Sequence, residues 1–273
     1  MFEELKPHLV ELQKRLIISA ISIIVCFFVA FAFWEPIVDF MAKPLVSIMN
    51  VGSEQITLID TNGEEKVLTG TQTSKFITTG VLEGFLTVLK VSFFIGLTFS
   101  LPIVFWQIWL FIAPGLYDNE KKYVVPFVLF ATIMFICGAS FCYYVVLPLA
   151  LHFLVFFGGD TFSLMPRISE YISFLVKIMF GFGTSFELPV IAFFLGKLGL
   201  ITDQTLKGYF RYAIVIIFIV AAILTPPDVT SQILMAIPLI ALYGLSILIL
   251  KVVNPYVPEN DNEEEKEENE ATS

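Results

Sequence analysis

Long uncharged stretches alternate with short charged ones along this chain. Leu16–Trp34 carries no charge over 19 residues, Val91–Tyr117 none over 27 and Tyr123–Gly159 none over 37. Tyr171–Gly196 is interrupted only by Lys177 and Glu187, and Tyr212–Leu224 and Ile233–Leu250 follow with 13 and 18 uncharged residues. A helix needs about 20 apolar residues to cross about 30 Å of hydrocarbon. The pattern predicts six transmembrane helices, the third with a tail that turns near Pro148. The fifth is the odd one, because thirteen residues cover only about 20 Å, about 10 Å less than a bilayer core. The sixth is also slightly short and is preceded by Thr230, Ser231 and Gln232. Short spans force local thinning of the bilayer or burial against partners.

The polar segments divide the chain further. Residues 1–15 contain an amphipathic helix starting at Pro7, expected to lie in the membrane interface. Leu5, Leu9, Leu12 and Leu16 form its apolar stripe, with His8, Glu11 and Arg15 on an adjacent face. Residues 16–252 form the six-helix domain. Its longest loop, 35–84, contains Ile56–Asp60 and Lys66–Leu68 on either side of Asn62-Gly63, the signal of a tight β-hairpin. Residues 253–273 hold eight acids and one base, Lys266, a composition that buries no core and reads as a disordered, solvated tail.

Composition agrees with lipid as the solvent. The 273 residues are 57% hydrophobic and only 15% charged, against about a quarter charged in soluble domains. The net charge of −9 comes mostly from the tail, which contributes −7. Six spans put both termini on one side. With them lie Lys6, Lys14, Arg15, Lys121, Lys122, Lys197, Lys207, Arg211, Lys251 and Lys266, whereas Lys43, Lys66, Lys75 and Arg167 lie opposite. Positive-inside asymmetry then predicts a multi-pass membrane protein with cytoplasmic termini. Trp34, Trp106 and Trp109 sit near span ends, where interfacial anchors are expected. The three cysteines lie in apolar runs without metal or redox spacing.

Few residues are placed to carry chemistry. Glu187 stands ten residues from both Lys177 and Lys197, about 15 Å along a helix, so neither lysine reaches it. An intramembrane carboxylate must be protonated, paired or facing water, and a polar site in a water-accessible concavity is expected there. Glu11 and Arg15 are spaced i, i+4, as a surface pair worth a few tenths of a kcal/mol would be; spacing alone does not separate that role from binding. The loop Pro114–Lys122 sets Asp118 and Glu120 beside two lysines. Asp228, in Thr225-Pro226-Pro227-Asp228, occupies the tight turn between the short helices, in position to cap the sixth. No HExxH, GxSxG or phosphate-binding loop is present, so no enzyme, cofactor or metal is expected. A small-solute or ion secondary transporter with Glu187 as proton carrier is the competing reading, but it calls for duplicated halves and no internal repeat is found.

Four stretches, in order, resemble the TatC family, the multispanning receptor subunit of the twin-arginine protein translocase. They are His8–Leu16, Phe111–Tyr117 with Glu120, Ser185–Pro189, and Thr225–Asp228, within a resemblance running from about Pro7 to Lys251. The resemblance implies an all-α membrane protein, a cup-shaped bundle of six helices whose fifth and sixth are short. It implies a scaffold that binds twin-arginine signal peptides of folded precursors and single-span subunits of the TatA and TatB type, in an oligomeric complex driven by the proton gradient. Nucleic acid is not among its partners. Glu11 and Glu120 would receive the guanidiniums, which carboxylates accept in a bidentate way that lysine cannot reproduce. Glu187 would be the intramembrane polar group facing the cup, and Thr225 and Gln232 would lie where partner subunits dock. Pro114, Pro226, Pro227 and Asp228 would shape the turns. Gln13 stands where the family often has arginine, so that charge passes to Lys14 and Arg15.

Overall fold

The computed structural model describes residues 2–51, 56–59, 65–68, 80–112, 124–156, 166–225 and 228–255. Among them six helices are long and apolar enough to cross a membrane. The first, α1 (Phe2–Ala32), is continuous from the charged N-terminal residues into the span. The separate interfacial helix expected from Pro7 is instead its opening turns, since Leu9, Leu12 and Leu16 keep the helical period unbroken into the span. After Phe33, α2 (Trp34–Val51) buries Met41, Ala42 and Leu45. Two tyrosines seat it from below: Tyr143 donates to the Phe40 carbonyl at 2.6 Å and Tyr171 to that of Met41 at 2.7 Å. In the loop that follows, β1 (Ile56–Ile59) pairs antiparallel with β2 (Glu65–Leu68), Ile56 opposite Leu68 and Ile59 opposite Glu65.

The second span is α3 (Glu83–Ile112). The third is α4 (Val124–Phe141), one wide π turn (Cys142–Val146) and α5 (Leu147–Phe156). No turn is made near Pro148, contrary to expectation. Proline lacks an N–H, and its ring collides with the carbonyl four residues back in a regular helix. The π turn, in which Leu147 N–H reaches back to the Cys142 carbonyl, makes room just before it, and the helix continues. Next come α6 (Ile168–Lys197), α7 (Asp203–Leu224) and α8 (Val229–Val253). At 22 residues α7 is the shortest of the six spans. Asp203, Lys207 and Arg211 occupy its first half, so only its later turns are apolar.

The spans form an open row. α1 leans on α3, α3 on α4 and α6, α6 on α8, and α7 closes the far end against α8. At the centre, α6 buries Ile172, Leu175, Ile178 and Phe182. Small residues set the crossings, as in membranes, where van der Waals contact drives helix association. A Cβ on Gly96 of α3 would fall 2.6 Å from the backbone of Phe27, and one on Gly138 of α4 2.8 Å from the Phe182 carbonyl of α6. Only glycine lets those backbones meet. The row places the start of α1 and the end of α8 at one end of the bundle, here the terminal end, and α2 at the other, the loop end.

Candidate functional site

At the terminal end, the antiparallel crossing of α1 and α3 brings Arg15 beside Gln107. One turn earlier on α1, Glu11 accepts a hydrogen bond from Arg15 Nη2 at 3.2 Å through Oε1. Arg15 Nη1 donates to Gln107 Oε1 at 3.4 Å. The guanidinium is therefore strung between two helices, with its Nε buried and without an acceptor among the described residues. Gln107 is 8% exposed, whereas Glu11 and Arg15 keep partial access to solvent. Lys14 points outward, exposed. Pro114 and Glu120 lie outside the described residues. The flanking ends of α3 and α4, Ile112 and Val124, are at this same end of the bundle as Gln107.

Two-thirds of the way along α6, Glu187 is only 7% exposed, and its Oε1 has no hydrogen-bond partner among the described residues. It is enclosed by the centre of the row rather than open to the concavity expected for it. Lys177 and Lys197 are ten residues away in either direction.

The loop end joins α7 to α8. Thr225 is buried and donates to the Ala221 carbonyl of its own helix at 2.9 Å. Asp228 caps α8, accepting from the Ser231 N–H at 2.7 Å, which meets one of the four donors a helix N-terminus leaves open. Gln232 Nε2 donates to the Phe218 carbonyl at 3.0 Å and fastens α8 to α7. Pro226 and Pro227 lie outside the described residues.

Three polar groups escaped the sequence reading. Gln107 is one, an uncharged residue inside an apolar run. Glu83 and Arg167 are the others. Glu83, 9% exposed at the start of α3, accepts from the Gly80 N–H at 3.1 Å and from Ser169 Oγ, and pairs with Arg167 at 3.4 Å. Arg167 also holds Glu170 at 3.0 Å. This cluster fastens α3 to α6 at the loop end. Each residue lies at the edge of an apolar run, and no local spacing links positions 84 residues apart. Trp109 differs from expectation as well. It is 2% exposed, edge-on to Phe194 and Phe127 at centroid distances of 4.3 and 4.9 Å, so it packs α3 against α4 and α6 instead of anchoring at the interface.

An open row of six spanning helices with polar clusters at its two ends defines a multi-pass membrane protein. Residues 7–238 match the family described as Sec-independent protein translocase protein (TatC). The Sec-independent protein translocase protein TatC of Helicobacter pylori strain J99 is 49% identical over 272 residues, covering 100% of this chain and 98% of its own length. That of Campylobacter jejuni is 48% identical over 265 residues, covering 97% and 100%. A crystal structure of a twin arginine translocase receptor, TatC, superposes with a TM-score of 0.75 at 34% identity, covering 90% of this chain and 99% of that one. The chain belongs to the TatC family. It is a core subunit of the twin-arginine translocase, not an enzyme, and the solute-transporter reading is not favoured.

Proposed function

We propose that the terminal end of the bundle receives twin-arginine signal peptides, with Glu11 and Glu120 each accepting one guanidinium and Lys14 and Arg15 bordering the site. The observation that carries this reading is that Glu11 already holds a guanidinium, that of Arg15, at 3.2 Å on a partly exposed surface. An incoming arginine meets a carboxylate whose position is set for that group. Arg15, held by Gln107 as well, can turn to its second acceptor when the leader takes Glu11. Glu120 lies four residues before Val124 and thus in a segment whose flanks share the end that bears Glu11. The excess of lysine and arginine on this side supports placing it, with both termini, in the cytoplasm of a bacterium, the protein residing in the inner membrane.

The same reading assigns Gln232 and Thr225 at the α7–α8 junction to the docking of TatA- and TatB-type single-span subunits. Side-chain amides in lipid bond across helices with about 1 kcal/mol. The energy comes from the proton gradient, and the complex is oligomeric.

Site-specific cross-linking of a twin-arginine peptide to the full-length protein in membranes is the test. Glu11→Ala and Glu120→Ala are each expected to weaken the cross-link by about tenfold or more, the range of a charge-assisted hydrogen bond at about 1.5–3 kcal/mol, while insertion stays intact. Undiminished cross-linking in the double variant would remove the assigned site.

A further inference from the structure

The surface between α4, α6 and α8 holds a slot that the receptor reading does not use. Phe127 and Phe130 form one wall, Pro189 and Phe193 the other, Ile249 closes the floor, and Lys197 stands at the lip where α6 ends. Its volume is about 330 Å³ and it is apolar throughout except at that lysine. Pro189 lies inside α6 and has no N–H to give to the turn before it, a place where helices bend. Phe130 and Phe193 remain about half exposed.

We infer that this slot binds one acyl chain of an anionic phospholipid, whose phosphate is held by Lys197. Two observations favour an anionic lipid. Every wall residue belongs to a spanning segment, so the solvent that fills the slot is lipid. Among the described residues the only charge on the lining is positive and sits at a helix end, the level of headgroup phosphates, and basic pockets between spanning helices recognise anionic headgroups. An ammonium has three donors, so Lys197 can hold a phosphate oxygen alongside a protein contact. The proposal needs only that the chain spans a membrane, and it stands apart from the signal-peptide reading.

Trp109 is a built-in reporter, because its indole packs on Phe127 and on Phe194, both of which line the slot. The test uses the full chain with Trp34→Phe and Trp106→Phe, which leaves Trp109 as the single tryptophan of three. The protein is placed in phosphatidylcholine vesicles containing increasing amounts of either chain-brominated phosphatidylglycerol or chain-brominated phosphatidylcholine. Trp109 fluorescence should be quenched to half at about a fivefold lower mole fraction of the anionic lipid. Lys197→Gln should bring the two curves together, and Lys251→Gln, at the same end but outside the slot, should leave them apart. Ile249→Phe, which fills the floor of the slot, should reduce quenching by both lipids. Coinciding curves in the parent protein, or a gap that survives Lys197→Gln, would overturn the proposal. So would a gap lost equally on Lys251→Gln, which would mark a diffuse surface attraction.

Discussion

Glu11 and Arg15 illustrate what a single residue tells and withholds. Their i, i+4 spacing is legible in the sequence, and the ion pair forms as spacing alone suggests. What spacing could not supply is Gln107, 92 residues further on, which fixes the other side of the guanidinium. An amide within an apolar run has no pattern of its own; only the α1–α3 crossing gives it a partner. The expected consequence is specific. Gln107→Leu should leave Arg15 with Glu11 as its sole anchor, so that Arg15 competes more strongly with an incoming leader. Peptide cross-linking should fall by about two- to tenfold, the range of a net hydrogen bond worth about 0.5–1.5 kcal/mol. Arg15→Lys in the same background should recover part of the loss, because an ammonium lacks the planar fork that fits the Glu11 carboxylate and yields it more readily. Cross-linking unchanged in Gln107→Leu would show that Gln107 takes no part in setting the site.

At the scale of elements, hydropathy placed all six spans because lipid enforces one rule on every position of a helix. Irregularities were harder. Pro148 read as the end of a span, yet a π turn absorbs it and the helix runs on to Phe156. Nothing local marks such a turn, since it is selected by the packing on either side. Trp109 had the position of an interfacial anchor and the fate of a core residue, for which Phe194, far along the chain, is responsible. α7 shows the reverse, a feature readable from sequence alone. Its apolar part is short because three charged residues take the first half of the helix. Inserting five or six leucines after Tyr212 should lengthen it by about 8 Å and remove the mismatch that a docking partner would relieve. Co-purification of single-span subunits should then drop severalfold, and recovery at parental levels would count against docking at this junction.

The whole molecule is an open row, and the charge that bears on its sidedness is distributed over many loops rather than held by any one residue. Ten of sixteen basic residues share the side of the termini, a legible signal because each lysine or arginine contributes independently to orientation. In membrane vesicles of known sidedness, a cysteine replacing the exposed Lys14 should react with an impermeant maleimide only from the cytoplasmic face. Labelling from the outside would invert the assignment and take the receptor surface with it.

Within that row, α1 is peripheral. Only 6% of its spanning window is buried, and α3 is its principal neighbour. A close backbone approach between the two, at Phe27 and Gly96, lies twelve residues from Arg15, about 18 Å along the axis. A change in tilt of about 10° around that crossing displaces Arg15 by about 3 Å, comparable with its 3.4 Å hydrogen bond to Gln107. Spanning helices adjust tilt to the thickness of the hydrocarbon around them. The acyl-chain length of the surrounding lipid is therefore expected to act as a dial on the geometry at Glu11, so that a thicker or thinner bilayer would reset the proposed recognition site without any change to the protein.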